Sequence, residues 1–459
     1  MLSVPKATEG LTLEEVKSQI YSRNNPTLTP IDIEMHASTV HRILELKKKH
    51  NIFMLGHNYM EPLVFGLSTE KEQGDSLALS MKAVQTDSDI IIFNGVRFMA
   101  ETAKVLNPEK QVNPIFNFKN PKVLFFFIKL IHLYLKNGIR VFRLDAIAFL
   151  WKEYGTNCLN LPQTHEVVKL IRTLLNAYSK NTLLITETNL PNLENLSYFG
   201  ENDEANAIYN FALPPLLLWT LVMGDSTAIR KWSMGMPPAK DNTSYFNFIA
   251  SHDGIGLRPT EGILTDKERN TLVDIMTDFG GQTTKRKKVD NTESVYEINI
   301  SLIDALKGTF QGSDHMQIER FICCHAIMLG LEGIPAFYIN TILGSSNDYE
   351  KVKETNNNRS INRRSWQYDE IDKLLINKES KNSKIFHQLS KLIEIRKNQT
   401  AFHPNATQFT FNLGKNFFGF WRQSHDKRQS IFCISNVTNV FQYLDFISKQ
   451  DIFLSLIHI

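Results

Sequence analysis

One short stretch of the sequence, GIRVFRLDAIAF at residues 138–149, constrains the fold of this chain most. It is mostly apolar and is preceded by a turn signal at Asn137 and Gly138, so it is predicted to form a buried strand. Because side chains alternate along a strand, Arg143 and Asp145 are expected to point to the same side. The guanidinium would favour the charged form of the carboxylate and orient it as a nucleophile. The alternative is a structural ion pair that closes the strand.

Two later segments present acidic residues in the same way. Residues 183–189 (LLITETN) form an apolar run that ends at Glu187, and residues 245–254 (YFNFIASHDG) end at His252 and Asp253. Helix-like stretches with apolar residues at helical spacing separate the three segments. Strand-like segments that carry acids at their C-terminal ends fit an α/β barrel whose site lies at that end of the sheet.

The motifs RLDA, TETN and ASHDG, in this order and spacing, resemble the α-amylase superfamily. The longer runs FRLDAIAFLWKEYGTNCLNLPQTHEVVKLIR, ENLSYFGENDEANAIYNFALPPLLL, FIASHDGIGLRP and RSINRR are similar to its sucrose-phosphorylase-like branch, the retaining sugar phosphorylases. The resemblance extends from about residue 117 to about residue 438. It implies a (β/α)8 TIM barrel and transfer of a glucosyl group to inorganic phosphate, the co-substrate, without a metal or cofactor.

The resemblance also implies the roles of particular residues. Asp145 would attack the anomeric carbon, Glu187 would protonate the leaving oxygen, and Asp253 would stabilise the oxocarbenium-like state. The acid role of Glu187 requires a raised pKa. Further substrate-binding roles fall on residues beside these acids and on a loop that carries RSINRR: Arg143, His252, Arg359, Asn362 and Arg363.

The donor sugar is narrowed by one difference from the family. Sucrose-specific members carry an aromatic pair just before a DAL triplet, whereas this chain has Leu302 and Ile303. A sucrose-like donor is therefore less favoured, and glucosylglycerate or a sugar phosphate stays open. The basic cluster Lys285 to Lys288, in the preceding segment, is expected on a solvated loop.

Residues 1–112 follow a different pattern, in which helix-like and strand-like segments alternate as in an αβ unit. The runs GHNYMEP, GDSLALS and FNGVRFMAETAKVLNPEK resemble the first domain of quinolinate synthase. This implies that His57, Tyr59 and Ser76 would help to bind a dicarboxylate, although a lone histidine after a strand is more often a plain loop residue. That family holds a [4Fe-4S] cluster with cysteines, and no cysteine here lies in the matching context, so neither a cluster nor quinolinate synthesis is expected.

The expected fold class is α/β, with three parts. Residues 1–112 form an αβ fragment, residues 113–398 a partial barrel that starts at the fourth strand, and residues 399–459 a truncated β domain with a non-native-looking tail. Helices are expected at 11–22, 30–50, 77–85, 164–179, 315–331 and 380–397, strands at 51–56, 89–94 and 334–339, and short antiparallel strands from residue 401.

Three functional hypotheses follow, because a barrel needs eight strands to close. The first is a sugar phosphorylase fragment, fused to a quinolinate synthase fragment and inactive as this chain. The second is a remodelled glycosyl-transferring enzyme, and the third is a non-catalytic or quinolinate-binding module. The first is favoured.

Composition excludes several classes of protein. The chain has 459 residues, of which 42% are hydrophobic and 22% charged, which is typical of a globular protein with two or three domains. A net charge of +3 is too small to argue for nucleic acid, and no uncharged apolar stretch reaches about 18 residues. The N-terminus lacks a basic-then-apolar signal and the four cysteines have no paired spacing, so a cytoplasmic protein is expected. The resemblance to sugar phosphorylases implies small-molecule partners, a sugar and phosphate.

Overall fold

The computed structural model describes residues 11–21, 30–57, 67–74, 79, 82–83, 85–94, 111–114, 118–153, 156–240, 242–287, 293–355 and 357–444. The chain forms two compact units, Met1–Ile131 and His132–Ile459. Among the described residues, no helix combines the length and the apolarity that crossing a membrane requires.

The first unit is built around a short parallel sheet. Its elements are α1 (Leu13–Tyr21), α2 (Pro30–Lys49), β1 (Ile52–His57), β2 (Gln73–Gly74), β3 (Ile90–Asn94) and β4 (Gln111–Pro114), and helix α3 (Pro121–Lys136) runs across the unit boundary. The sheet order is β2-β1-β3-β4, with every pair parallel. The helices and strands expected at 11–22, 30–50, 51–56 and 89–94 are therefore present.

A buried ion pair supports this first sheet. Lys47 Nζ lies 2.5 Å from Glu72 Oε2, and both side chains are almost fully buried. Glu72 also accepts a hydrogen bond of 3.0 Å from the backbone N–H of Met54 in β1. The carboxylate thus has both a cation and a strand amide as partners, as a buried charge requires.

The second unit alternates strands and helices and then closes with an antiparallel sheet. Its first part contains β5 (Val141–Leu144), α4 (Pro162–Tyr178), β6 (Leu183–Thr186), α5 (Asn192–Leu196), β7 (Ala207–Tyr209), α6 (Leu213–Met223), α7 (Thr227–Gly235), β8 (Ser244–Asn247), β9 (Ile255–Gly256) and α8 (Asp266–Asp278). These are followed by β10 (Gln282–Lys287), β11 (Glu293–Asn299), α9 (Leu302–Ala305), β12 (Gly308–Thr309), β13 (Gly312–Ser313), α10 (Gln317–Gly330), β14 (Ile334–Pro335), α11 (Ile339–Ile342), α12 (Tyr349–Thr355), α13 (Tyr368–Ile376), α14 (Lys381–Lys397), β15 (Thr407–Thr410), β16 (Phe417–Gln423) and β17 (Ser430–Asn436).

Five strands of this unit form one parallel sheet in the order β14-β8-β7-β6-β5. The spatial order follows the chain order, and helices connect consecutive strands, as in a (β/α)8 barrel. Within the described residues, β5 pairs only with β6 and β14 pairs only with β8, so the sheet has two open edges.

The core of the unit lies beside this sheet. Helix α6 is buried on all sides, from Leu213 to Val222, because its sequence LPPLLLWTLVM has no polar face. Leu302 and Ile303 are buried in the same cluster, at 4% and 1% exposure. The residues that replace an aromatic pair in this chain therefore pack in the core.

One sequence expectation, that of a solvated loop for the basic cluster, differs from the structure. Lys285, Arg286 and Lys287 lie in strand β10, which pairs with β11 in an antiparallel hairpin, whereas the cluster was expected on a loop. The β-branched residues Thr283 and Thr284 favour a strand, and β11 pairs further with β9. Lys288 lies outside the described residues.

The C-terminal sheet contains β15, β16 and β17, all antiparallel, as expected from residue 401 onwards. Arg422 of β16 is fully buried and donates to the carbonyls of Gly330, His403 and Ala406. One side chain therefore holds the end of α10 and the loop before β15 to this sheet. Residues 445–459, which include the unusual apolar tail, lie outside the described residues.

Candidate active site

Three polar side chains meet at the C-terminal ends of β5 and β6. Arg143 Nη1 lies 2.6 Å from Asp145 Oδ1, and Arg143 Nη2 lies 3.9 Å from Glu187 Oε2. The parallel register pairs Leu144 with Thr186, so the residues that follow both strands emerge side by side. The expected pairing of Arg143 with Asp145 is present, and the same guanidinium also reaches Glu187.

The two carboxylates have different surroundings. The side chain of Asp145 is 73% exposed, whereas that of Glu187 is 13% exposed. Burial raises the pKa of Glu187 above its ordinary value, although a hydrogen bond from Ala146 and the charge of Arg143 oppose the shift. An enclosed carboxyl with a raised pKa is suited to act as a proton donor.

Backbone strain accompanies the turn after β5. Ala146 has φ +46° and ψ +35°, in the left-handed region that non-glycine residues seldom adopt. In this conformation its N–H donates a hydrogen bond of 2.7 Å to Glu187 Oε2. The turn thereby positions an amide donor at the second carboxylate.

A second cluster surrounds Asp253. Its Oδ1 accepts hydrogen bonds from Arg359 Nη1 at 2.9 Å and from Arg363 Nη2 at 3.0 Å. Its Oδ2 lies 3.7 Å from Nε2 of His252. The structure therefore brings together all the substrate-binding residues that the sequence assigned to this side of the site.

The residues of RSINRR are held by a short 3-10 helix, Asn358–Asn362, and by its end, whereas a loop was expected. Asn362 Nδ2 donates to the carbonyl of Ser251 at 2.6 Å, and Arg363 Nε donates to the carbonyl of His252 at 2.7 Å. These bonds tie the helix to the segment that carries Asp253, because each donor meets a main-chain acceptor there.

One buried acid of this cluster was missed by the sequence analysis. Glu297, 2% exposed on β11, accepts from Arg359 Nε at 2.8 Å and from Arg359 Nη2 at 2.9 Å. Arg359 thus bridges Glu297 and Asp253. Gly254 permits this approach, since a Cβ at that residue would lie 2.9 Å from the carbonyl oxygen of Ile298. A buried glutamate in the segment after α8 carries no local motif that would reveal its role.

A cluster of aromatic residues packs against the side chain of Arg143. Arg143 Nε donates to Tyr209 Oη at 3.1 Å, and its guanidinium carbon lies 5.3 Å from the centre of the Tyr209 ring. The Tyr209 ring contacts Phe211, Phe246 and Phe248, with centroid distances of 5.6, 4.8 and 5.4 Å. The position of Tyr209 at the end of a strand, in NAIY, is the sequence signal that could have indicated it.

A tyrosine hydroxyl also links the two clusters. Asn189 Nδ2 donates to Tyr296 Oη at 3.2 Å, and burial raises the pKa of Tyr296. Asn189 belongs to the TETN motif that carries Glu187, and Tyr296 precedes Glu297 on β11. The two acid clusters are close enough that the charge of Asp253 also raises the pKa of Glu187.

A cavity of about 450 Å³ lies away from these acids, between β8 and the C-terminal sheet. Its lining includes Trp232, Tyr245, Glu332 and Phe409, and none of the acids or arginines described above. Burial raises the pKa of Glu332, whose carboxylate accepts from the backbone N–H of Ala239. This cavity is separate from the candidate active site, because none of the clustered acids lines it.

The residues expected at the quinolinate-like site are placed only in part. His57 ends strand β1, while Tyr59 and Ser76 lie outside the described residues. Residues 41–115 contain no cysteine, and burial raises the pKa of the thiols of Cys323, Cys324 and Cys433. A segment without cysteines does not fit the ligand set of an iron–sulfur cluster, because the cluster needs thiolate ligands. Within the described ranges, no group of three or more His, Cys, Asp or Glu residues could hold a metal ion.

Comparison with known families gives two matches along the chain. Residues 41–115 match the family model of the quinolinate synthetase A protein, and residues 102–253 match that of the alpha amylase catalytic domain. Both resemblances drawn from the sequence are confirmed.

Curated relatives narrow the second match. The chain is 40% identical over 299 residues to the glucosylglycerate phosphorylase of Escherichia coli strain K12. The matched region is 64% of this chain and 53% of the relative. It is 37% identical over 326 residues to that of Spirochaeta thermophila, covering 71% of this chain and 55% of the relative. Identity to the sucrose 6(F)-phosphate phosphorylase of Thermoanaerobacterium thermosaccharolyticum is 26% over 301 residues, and the match covers 64% of this chain and 56% of the relative. The chain spans about half the length of the curated relatives it matches.

A solved structure supports the fold. The crystal structure of sucrose 6F-phosphate phosphorylase from Thermoanaerobacter thermosaccharolyticum matches with a TM-score of 0.59 and 22% identity, covering 72% of this chain and 61% of that chain. The α/β fold class of the alpha-amylase type, expected from the motifs, is confirmed.

Proposed function

We propose, from the resemblance to glucosylglycerate and sucrose phosphorylases, that this chain carries the site of a retaining glycoside phosphorylase. In this proposal Asp145 is the nucleophile, Glu187 the acid and base, and Asp253 the stabilising carboxylate. One observation carries the assignment: Arg143 contacts one exposed carboxylate, Asp145, and one enclosed carboxylate, Glu187, and burial raises the pKa of the enclosed one.

The first step forms a glucosyl-enzyme. The carboxylate of Asp145 attacks the anomeric carbon of the donor, while protonated Glu187 transfers its proton to the glycosidic oxygen as the carbon–oxygen bond breaks. Retaining enzymes place these two carboxyls about 5–5.5 Å apart. The contacts of Arg143 with both acids support such proximity, because one guanidinium spans them.

The second step returns the enzyme to its starting state. Glu187 removes a proton from phosphate as a phosphate oxygen attacks the anomeric carbon, and the bond to Asp145 breaks. Glucose 1-phosphate leaves and Glu187 is protonated again. Arg363, whose side chain is 32% exposed, supplies a planar guanidinium that suits the incoming phosphate, and the 56% exposed side chain of His252 lies at the same carboxylate, Asp253.

The donor favoured by this proposal is glucosylglycerate-like. Identity to the glucosylglycerate phosphorylases is 40% and 37%, against 26% for the sucrose 6(F)-phosphate phosphorylase. Leu302 and Ile303 are buried core residues, which also argues against a sucrose-specific aromatic contact at this place.

The open sheet predicts low activity for this chain alone. Asp145 is 73% exposed, so water can reach the position where the glucosyl-enzyme would form. Selection of phosphate over water depends on a closed, water-excluded site. We expect slow transfer, with hydrolysis competing against phosphorolysis.

A fusion origin is part of the same proposal. The two family matches meet at residues 102–115, where a quinolinate synthetase pattern gives way to an amylase pattern. Long-read sequencing of source DNA across the codons for residues 110–119 tests it. A continuous read supports a fused gene, and two separate loci refute it.

The site assignment is tested by trapping the glucosyl-enzyme. The full chain is incubated with α-glucosyl fluoride, and the modified peptide is identified by mass spectrometry. Because fluoride needs little acid assistance to leave, Glu187→Gln should still form the adduct, whereas Asp145→Asn should form none. Addition of phosphate should release glucose 1-phosphate from the wild-type adduct. An adduct on another residue, or unchanged turnover in Asp145→Asn, would falsify the assignment.

A further inference from the structure

One face of the parallel sheet is exposed to solvent at β5 and β6. Val141 and Leu183 are register partners on neighbouring strands, so their side chains share a face, and they are 52% and 43% exposed. Their neighbours on the other face, Phe142 and Leu184, are 8% and 0% exposed. The sheet is therefore covered on one face and uncovered on the other at this end.

Bare apolar side chains are unusual in a parallel sheet. Parallel sheets are found with both faces covered, since their strands are apolar on both sides. The uncovered face coincides with the open edge, because β5 has a strand partner on one side only among the described residues. An open edge with exposed aliphatic residues is a template for pairing with another strand.

The number and direction of the strands indicate which strands could pair with the two edges of the sheet. Five parallel strands lie in sequential order, and a barrel of this type closes with eight. The two end strands, β5 and β14, each lack a partner on their outer side within the described part of the chain. Three further parallel strands would join these two edges.

We propose that the β5 edge, defined by β5 and the exposed side chains of Val141 and Leu183, binds a separate polypeptide that carries three βα units. Its last strand pairs in parallel with β5 and its first strand pairs with β14. Aliphatic side chains on its inward face cover Val141 and Leu183. The strand ends beside Asp145 carry polar residues, since they would line the same site as the acids.

A second copy of this chain fits the edge less well. Two copies related by a two-fold axis would pair β5 with β5 in antiparallel fashion and would leave β14 unpaired. Three parallel βα units would give both end strands, β5 and β14, a pairing partner. The proposal rests on the sheet alone, so it stands or falls independently of the catalytic assignment.

The experiment is a binding measurement with a defined probe. The probe is a polypeptide of the first three βα units of the Escherichia coli glucosylglycerate phosphorylase, co-expressed with the full chain. Native mass spectrometry should detect a 1:1 complex, and hydrogen exchange of residues 139–146 should slow in the complex. Neither readout requires turnover.

Matched variants localise the contact. Val141→Lys places a charge on the exposed face without disturbing a buried residue, and it should weaken binding by at least about tenfold. Ile376→Lys makes a similar change on α13, where Ile376 is 71% exposed, and binding should stay within about twofold of the wild type. Leu183→Lys serves as a second test of the same face if Val141→Lys fails to fold.

Three results would overturn the proposal. The first is the absence of a complex with the probe. The second is equal binding by Val141→Lys, Leu183→Lys and the wild type. The third is exchange protection of residues 139–146 in a homodimer formed without the probe, which would assign the edge to a second copy.

Discussion

The backbone N–H of Ala146 donates a hydrogen bond of 2.7 Å to Oε2 of Glu187. The bond joins the turn after β5 to the acid after β6, and it fixes the carboxylate that burial keeps at a raised pKa. An amide donor favours the charged form, so this contact opposes the burial that dominates the pKa shift. The enclosed acid is thus held in place without being forced to ionise.

The pH dependence of stability tests the burial of Glu187. Its pKa is higher in the folded chain than the ordinary value of 4.5, so the folded state holds the proton more tightly than the unfolded state. The free energy of unfolding should therefore fall as the pH rises from about 4.5 through the raised pKa. Urea denaturation across this window should show the fall in the wild type and a smaller fall in Glu187→Gln. An identical slope in both proteins would contradict the assignment.

Substitution of Ala146 tests the strained turn. Ala146→Val introduces a β-branched residue at φ +46°, and it should lower the free energy of unfolding by about 1–2 kcal/mol. Ala146→Gly is the control, because glycine adopts this conformation without strain, and its stability should equal or exceed that of the wild type. Thermal and urea unfolding measure both. Greater loss with glycine than with valine would argue against the left-handed turn.

Glu297 provides a test of the ion-pair network. Glu297→Gln removes the charge whose two oxygens bind Arg359, and it should cost about 1.5–3 kcal/mol of stability. It should also lower kcat of any transfer activity, because Arg359 positions Asp253. The control is Glu370→Gln, which breaks a surface pair with Arg364 and should cost at most about 1 kcal/mol. Equal effects of both variants would show that Glu297 has no special role.

Arg422 tests the attachment of the C-terminal sheet. Burial lowers its pKa to about 10, so the guanidinium is still charged near neutral pH. Arg422→Leu leaves the carbonyls of Gly330, His403 and Ala406 without this donor, and each unpaired group costs about 1–3 kcal/mol. We expect faster hydrogen exchange in β16 and a loss of at least about 3 kcal/mol.

Arg428→Leu is the matched control for that variant. The Arg428 side chain is 87% exposed, so its loss should change stability by no more than about 0.5 kcal/mol. Unchanged exchange in β16 of Arg422→Leu would mean that the buried arginine does not secure the sheet.

Local patterns in the sequence located the strands that carry the acids, although the buried strand expected over residues 138–149 is observed only as Val141–Leu144, followed by a 3-10 helix at Ile147–Phe149. Apolar runs followed by Asp145 and Glu187 identify β5 and β6, because a strand that is buried on one face and ends in charge leaves a short-range signal. The helix 164–179 was likewise predictable from its spacing, and it is observed as Pro162–Tyr178. The hairpin β10–β11 was not predictable in this way, since its pairing with β9 depends on residues far along the chain.

The sequence by itself determined the order of the acids, the family motifs around them and the pairing of Arg143 with Asp145. Only the tertiary structure decided which carboxylate is enclosed, which buried acid holds Arg359 and which face of the sheet is bare. The physical reason is that burial and ion pairing join residues distant in sequence, such as Glu297 and Arg359, which are 62 positions apart. Periodicity and motifs report neighbours along the chain, whereas the pKa of Glu187 depends on neighbours in space.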